Sequence, residues 1–284
     1  MFFTVLGPVG LTVAGRTHVL RRAQTRGLLA FMLLRANRVV PAEALIEALW
    51  GGAEPRTARS QVQNGMSAVR AQLRAHGGEG MLSSGPAGYL LTVAAEQVDH
   101  ALFELRRREA RASAGWSPAG AAAALRAGLE LWRGPVLGGA SGSYVEPARA
   151  RLLDRYLTAR EEFVELELRL GRHGEVAAEF LAAVDEHPGR ERLRGQVMLA
   201  LYRSGRQVEA LRLYREHRVR LAEGHGLDPG PELVALHQAI LENDPTLLTP
   251  GAPGAAAGEG GAGPARPARH QRRRTGRARP PAGR

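Results

Sequence analysis

The chain has 284 residues, enough for two domains with separate cores, and it contains neither cysteine nor lysine. The absence of cysteine excludes disulfides, thiol catalysis and cysteine-ligated metal sites, and it fits a reducing cytoplasm. The absence of lysine excludes a P-loop NTPase, whose phosphate-binding motif requires one. The net charge of +11 arises at the two ends, since residues 1–97 carry 10 arginines and 5 acidic residues, residues 98–248 carry 21 and 22, and residues 249–284 carry 8 and 1. Basic ends indicate a polyanionic partner, although a solubilising surface explains the charge equally well.

The first predicted elements are three short β-prone runs, Phe3–Leu6, Leu11–Val13 and His18–Leu20, which form a small antiparallel sheet. A buried first strand explains the apolar start better than a signal peptide, because no basic leader precedes it. The longest apolar run, Leu28–Leu34, is far shorter than the roughly 20 residues of a membrane span, so we expect no membrane association.

Three helices and a hairpin follow. Apolar spacing predicts a helix over Gln24–Arg35, then a brief extended link at Val39-Val40. A second helix begins at Pro41 and stops at Gly51-Gly52, and a third runs from about Thr57 to His76. A hairpin is predicted over residues 81–93, with its turn at Gly85-Pro86. Sheet, three helices and hairpin in this order predict a winged helix-turn-helix.

The third helix has the composition of a DNA-reading helix. Val62, Met66, Val69 and Leu73 form its apolar stripe, and the helix contains no acidic residue. Amide and hydroxyl side chains suit base edges in the major groove, and arginines suit phosphates, with Arg70 also able to reach guanine. The candidate DNA-binding residues are Arg59, Ser60, Gln63, Asn64, Ser67, Arg70 and Arg74. The alternative is that this face is merely solvated.

From Asp99 onward the periodicity is helical throughout. The predicted helices cover residues 99–114, 117–132, 145–170, 174–187, 190–203, 206–223 and 230–242. The motif Gly-Arg-x-x-Glu occurs at Gly171 and again 34 residues later at Gly205, which is the period of tetratricopeptide helix pairs.

The fold class that results is an α+β winged helix-turn-helix followed by an all-α tetratricopeptide-like domain. We predict a DNA-binding domain over residues 1–96, a helical domain over 97–247 and a disordered tail over 248–284. The tail is rich in Arg, Pro, Gly and Ala and has too little apolar area to offset the entropy of ordering.

The residues resemble those of a known family, the SARP antibiotic regulatory activators of actinobacteria. The matching stretches are FTVLGPV (3–9), NRVV (37–40), LIEALWG (45–51), GYLL (88–91), LWRGP (131–135), LALYRSGR (199–206), Ala210-Leu211 with Tyr214, and GLDPGPEL (226–233). Each is weak alone, but their ordered combination over residues 1–247 is specific.

The resemblance implies an OmpR-type winged helix followed by a bacterial transcriptional activation domain. It implies binding to direct repeats in double-stranded promoter DNA, often as a dimer on the DNA, and recruitment of RNA polymerase through a sigma factor region or another subunit. It also implies control of a neighbouring antibiotic gene cluster from the cytoplasm, at the nucleoid. Two departures stand in the reading helix, where relatives often carry tyrosine at the position of Gly65 and arginine at that of Ala68. Larger relatives append an NTPase, where we expect only the tail.

Three other interpretations compete. Two of them are a protein-interaction scaffold and a repressor, and the sequence does not distinguish a repressor from an activator. An enzyme is disfavoured, because Gly139–Gly142 misses the nucleophile-elbow motif and the glycines at 258, 260 and 263 lack the flanking strand and helix of a dinucleotide fold. We therefore expect no catalytic residue, cofactor or metal.

Overall fold

The computed structural model describes residues 1–248. The predicted tail lies outside these residues except for Leu248, which ends a 3-10 helix over Pro245–Leu248. The chain begins with an antiparallel sheet of three strands in the order β1-β2-β3, with β1 at Phe2–Thr4, β2 at Gly10–Val13 and β3 at Arg16–His18.

The third strand begins two residues earlier than predicted. Ala14 and Gly15 both have positive φ, 48° and 77°, and they form a two-residue turn that pairs Val13 directly with Arg16. Such a turn matches the right-handed twist of the strands that it connects, and it fixes their register.

The winged helix-turn-helix predicted from the element order is present. Its helices are α1 (Ala23–Leu33), α2 (Ala42–Trp50) and α3 (Ala58–Ala75). The second sheet has the order β4-β6-β5, with β4 at Val39–Val40, β5 at Leu82–Gly85 and β6 at Gly88–Leu91. The predicted extended link is therefore a strand, since Val39 and Val40 pair with Leu90 and Tyr89 of the hairpin.

The rest of the described chain is mostly helical, as predicted. A 3-10 turn at Ala95–Gln97 leads into α4 (Asp99–Ser113), α5 (Pro118–Leu129), α6 (Val145–Arg169), α7 (His173–Phe180), α8 (Ala183–Glu186), α9 (Glu191–Arg203), α10 (Gln207–His225) and α11 (Pro231–Leu241). No helix within residues 1–248 has the length and apolar character of a membrane span.

The 34-residue echo marks two matching turns between antiparallel helices. Gly171 joins α6 to α7 and Gly205 joins α9 to α10, with φ values of 78° and 75°. In both turns the arginine that follows the glycine donates its backbone N–H to a carbonyl five residues back: Arg172 to Glu167 at 3.0 Å and Arg206 to Leu201 at 2.8 Å. The repeated motif thus encodes a repeated helix end in which glycine takes the left-handed conformation.

Two predicted helices are shorter than expected. The helix predicted over residues 174–187 is divided into α7 and α8, and the buried guanidinium of Arg194 on α9 holds the second piece by donating to the carbonyl of Val184 at 2.6 Å. The helix predicted to reach residue 132 ends at Leu129. Residues 130–144 instead form an irregular segment, here called the strap, which contacts the winged helix.

Candidate nucleic-acid interface

Helix α3 is held against the winged-helix core by the stripe that the sequence predicts. Val62, Met66, Val69 and Leu73 are each no more than 1% exposed, and they pack beside α1 and α2. Because these residues recur at three- and four-residue intervals, one side of the helix is buried and the opposite side is free for contact.

The outward side of α3 carries uncharged polar groups. Ser60, Gln63, Asn64 and Ser67 are all exposed, and none has a side-chain hydrogen bond to another residue of the described chain. Their amide and hydroxyl groups are therefore available to an outside partner. The predicted polar face is not packed against the rest of the molecule.

Arginines stand near both ends of this face, and each forms an ion pair at the surface. Arg59 pairs with Glu43 in the first turn of α2, and Arg74 lies 3.8 Å from Glu79 beyond the helix. All four side chains are more than 60% exposed. Exposed pairs contribute only about 0–1 kcal/mol, so either arginine can exchange its carboxylate for a phosphate at little cost.

Arg70 has a different position, half-buried between α3 and the hairpin. Its Nε donates to the carbonyl oxygen of Leu82 at 3.2 Å, and a terminal nitrogen lies 3.2 Å from the hydroxyl of Ser84. Arg70 therefore fixes the hairpin β5–β6, the wing, relative to the exposed face of α3. The sequence assigns Arg70 to DNA contact, and the structure adds this positioning role.

Gly65 explains one departure from the family pattern. A β-carbon at this position would overlap the Cδ1 atom of Leu28, which is only 1% exposed on α1. The glycine therefore leaves room for the Leu28 side chain between α1 and α3, and a larger side chain here requires Leu28 to change its rotamer or the helices to shift.

The strap joins the winged helix to the helical domain through main-chain hydrogen bonds. The N–H of Leu137 donates to Val5 at 2.9 Å, that of Gly138 donates to Gly7 at 3.0 Å, and Val9 donates back to Gly138 at 3.0 Å. These bonds pair the strap with residues 5–9, the segment that directly follows β1. They were not predicted, although Gly134-Pro135 signals that the preceding helix must stop.

The strap also contacts α1. The hydroxyl of Tyr144 donates to the carbonyl of Gly27 at 2.7 Å, and Nε of Arg26 donates to the carbonyl of Gly139 at 2.6 Å. A β-carbon at Gly27 would overlap the carbonyl oxygen of Ser141. The orientation of α1, and through it that of α3, is thus fixed relative to the helical domain.

Asp99 provides a second connection between the two parts of the chain. It begins α4, is 1% exposed, and accepts the backbone N–H of Val5 at 2.8 Å and that of Leu6 at 2.9 Å. Burial raises the pKa of its carboxyl to about 6, although the backbone donors Leu6, Val5 and His100 and the nearby Arg133 act to lower it.

Comparison with known proteins identifies the family. A family model described as the bacterial transcriptional activator domain matches residues 98–241. Regulatory protein AfsR of Streptomyces coelicolor is 40% identical over 251 residues, which cover 86% of this chain and 24% of AfsR. Regulatory protein DnrI of Streptomyces peucetius is 32% identical over 256 residues, which cover 86% of this chain and 93% of DnrI.

The fold agrees with these similarities. The structure of Mycobacterium tuberculosis EmbR in complex with a low affinity phosphopeptide matches with a TM-score of 0.79 and 34% identity, over 85% of this chain and 65% of that one. The chain thus spans only part of EmbR and about a quarter of AfsR. These relatives are named as regulators, and the chain belongs to the SARP family of transcription activators.

Proposed function

We propose that the chain binds promoter DNA in a sequence-specific manner by placing α3 in the major groove. The observation that carries this proposal is the exposed, acid-free face of α3, on which Ser60, Gln63, Asn64 and Ser67 have no partner within the described chain. A solvated helix face usually mixes acids with bases. Carboxylates on a face that approaches phosphates add electrostatic repulsion, so their absence favours contact with DNA.

The proposed roles follow from side-chain chemistry. Gln63 and Asn64 can each form two hydrogen bonds to an adenine edge, and the hydroxyls of Ser60 and Ser67 can donate to or accept from different base edges. Arg59 and Arg74 contact phosphates after releasing their carboxylate partners. Arg70 retains unused N–H groups, so it can contact DNA while it positions the wing.

We assign DNA binding to one of the two proposed domains and protein contacts to the other. Residues 1–96 bind direct repeats in double-stranded DNA as a dimer, and residues 97–247 contact the neighbouring protomer and RNA polymerase through a sigma factor region or another subunit. The match of the bacterial transcriptional activator domain to residues 98–241 supports this division. The activity would be exercised in the cytoplasm at the nucleoid, on a nearby secondary-metabolite gene cluster.

The decisive experiment is footprinting of the purified chain on DNA upstream of genes adjacent to its own. If about six phosphates are contacted, the affinity for the protected site falls with salt with a log–log slope near −5. The double variant Gln63→Ala/Asn64→Ala should lose preference for the site over random duplex. Gln238→Ala, which removes an exposed amide from α11, serves as the matched control and should keep it.

Three outcomes would contradict parts of the proposal. Protection of no duplex at any salt concentration would refute DNA binding and favour a protein-interaction scaffold. Retained preference in the double variant would refute the role of α3. Transcription from the protected promoter by purified RNA polymerase should rise when the chain is added, and a fall would instead identify a repressor.

A further inference from the structure

A cleft of about 380 Å³ opens between the start of α1 and the middle of α3. Its lining includes Arg21, Arg22, Gln24 and Thr25 on one side, and Asn64 with Gly65 on the other. The cleft lies on the opposite edge of the exposed α3 face from Arg70 and the wing. Any partner that covers this face therefore meets the cleft along its border.

The cleft presents polar groups that have no partner in the described chain. The guanidinium groups of Arg21 and Arg22 are exposed and form no ion pair there, in contrast to Arg59 and Arg74. Gln24 and Asn64 likewise make no side-chain hydrogen bond within the described residues. None of the lining residues is acidic.

Thr25 gives independent evidence for a ligand. The residue is only 6% exposed and lines the cleft, yet its hydroxyl has no hydrogen-bond partner among the residues that the structure describes. The hydroxyl faces the open cleft and is not sealed in the core, so it can donate to an acceptor that enters the cleft.

Arg26 shows that the arginines of this region are of two kinds. Its guanidinium donates to the carbonyls of Leu20, Arg21 and Gly139, so it stabilises the start of α1 against the strap. The side chains of Arg21 and Arg22 form no such hydrogen bonds with the residues that the structure describes. Their charge is directed outward, into and around the cleft.

We propose that this cleft binds a backbone phosphate of the DNA strand that borders the groove occupied by α3. Phosphate oxygens accept charge-assisted bonds from guanidinium groups and neutral bonds from hydroxyl and amide donors, the set that lines the cleft. Phosphates flank the major groove on both sides, so a helix in the groove requires contacts along both of its edges. The wing and Arg70 serve one edge, and Arg21, Arg22 and Thr25 serve the other. The inference rests on the proposed function.

The test measures binding of the footprinted duplex over a range of salt concentrations. The variant Arg21→Ala/Arg22→Ala should bind at least fivefold more weakly, with a similar loss for specific and random DNA, and its salt slope should be smaller by about 1. Arg215→Ala/Arg218→Ala removes the same charge from exposed positions of α10 and should leave the slope unchanged. Thr25→Val should weaken binding severalfold without lowering the melting temperature, because the hydroxyl has no internal partner.

Ethylation interference locates the phosphate directly. Ethylation of one phosphate beside each recognised site should block DNA binding by the native chain. Binding by the Arg21→Ala/Arg22→Ala variant should become insensitive to ethylation at that phosphate alone. Titration of inorganic phosphate without DNA distinguishes the other source of this chemistry. If millimolar phosphate stabilised the native chain but not the variant, and the variant bound DNA as the native chain does, the cleft would be a site for a free anion. That result would overturn the DNA assignment.

The two proposals fail in distinguishable ways. If the native chain protects no duplex, DNA binding is refuted and the phosphate site with it. If the native chain binds but the Arg21→Ala/Arg22→Ala variant keeps its affinity, slope and interference pattern, only the phosphate site is refuted.

Discussion

Asp99 links the helical domain to the winged helix across 94 positions of sequence, and its removal should be costly. Its carboxylate accepts the backbone N–H groups of Val5 and Leu6, both of which are 0% exposed. In Asp99→Ala these donors lose their acceptor, and the first turn of α4 loses its negative charge.

The expected loss of stability follows from these contacts. Each buried donor left unpaired costs about 1–3 kcal/mol. A carboxylate in the first turn of a helix contributes a further 0.3–1 kcal/mol or so. We therefore expect Asp99→Ala to lower the free energy of unfolding by about 4 kcal/mol, within a range of about 2–7. This is a large fraction of the roughly 5–15 kcal/mol that holds a typical domain together.

Urea unfolding followed by circular dichroism measures this difference. Glu232→Ala is a matched control, because Glu232 also lies in the first turn of a helix but is exposed and accepts no buried donor. The control should lose no more than about 1 kcal/mol. If Asp99→Ala lost no more than Glu232→Ala, the two bonds across the domains would not contribute as the geometry requires.

Further predictions concern pH, the repeated turns and the strap. Because the folded-state pKa of Asp99 is raised to about 6, the folded chain binds more protons than the unfolded chain between about pH 4 and 6, and the stabilisation that Asp99 provides falls as pH rises. The difference in unfolding free energy between the native chain and Asp99→Ala should therefore be about 1 kcal/mol smaller at pH 7 than at pH 5. A difference that stays constant with pH would contradict the raised pKa. Gly171→Ala and Gly205→Ala should each cost about 1–2 kcal/mol in urea unfolding, because only the left-handed conformation opposes the added methyl group. Unequal costs would show that the two turns differ. Tyr144→Phe should cost about 0.5–1.5 kcal/mol through loss of the bond to Gly27, and a melting temperature equal to that of the native chain would show that this bond is not stabilising.

The elements of the winged helix could be predicted because their signals are local. The stripe from Val62 to Leu73 set the limits of α3 to within a residue at each end, Thr57–His76 against the observed Ala58–Ala75. The start of β3 was predicted two residues too late, at His18 instead of Arg16, because the strand begins directly after the two-residue turn at Ala14-Gly15.

The connection between the domains could not be predicted because its bonds join distant parts of the chain. Nothing around Asp99 indicates that its partners are Val5 and Leu6, since an acid at a helix start is ordinarily explained by the helix dipole. The strap has no periodicity, and its hydrogen bonds to residues 5–9 depend on where the fold places them. The same limit applies to Arg70, whose contact with the wing becomes visible only when the hairpin folds back onto α3.

Two glycines of the winged helix allow close contacts on α1, and these contacts together set the direction of α3. Gly65 lets α3 approach Leu28 on α1, and Gly27 lets α1 approach Ser141 of the strap. A glycine within a helix costs about 1 kcal/mol relative to alanine, so each position gives up helix stability for a close contact. Since Gly27 and Leu28 are adjacent, the strap and α3 contact the same turn of α1 from different sides. The face of α3 is therefore oriented by the helical domain, and a protomer on DNA would present that domain at a fixed angle to the duplex.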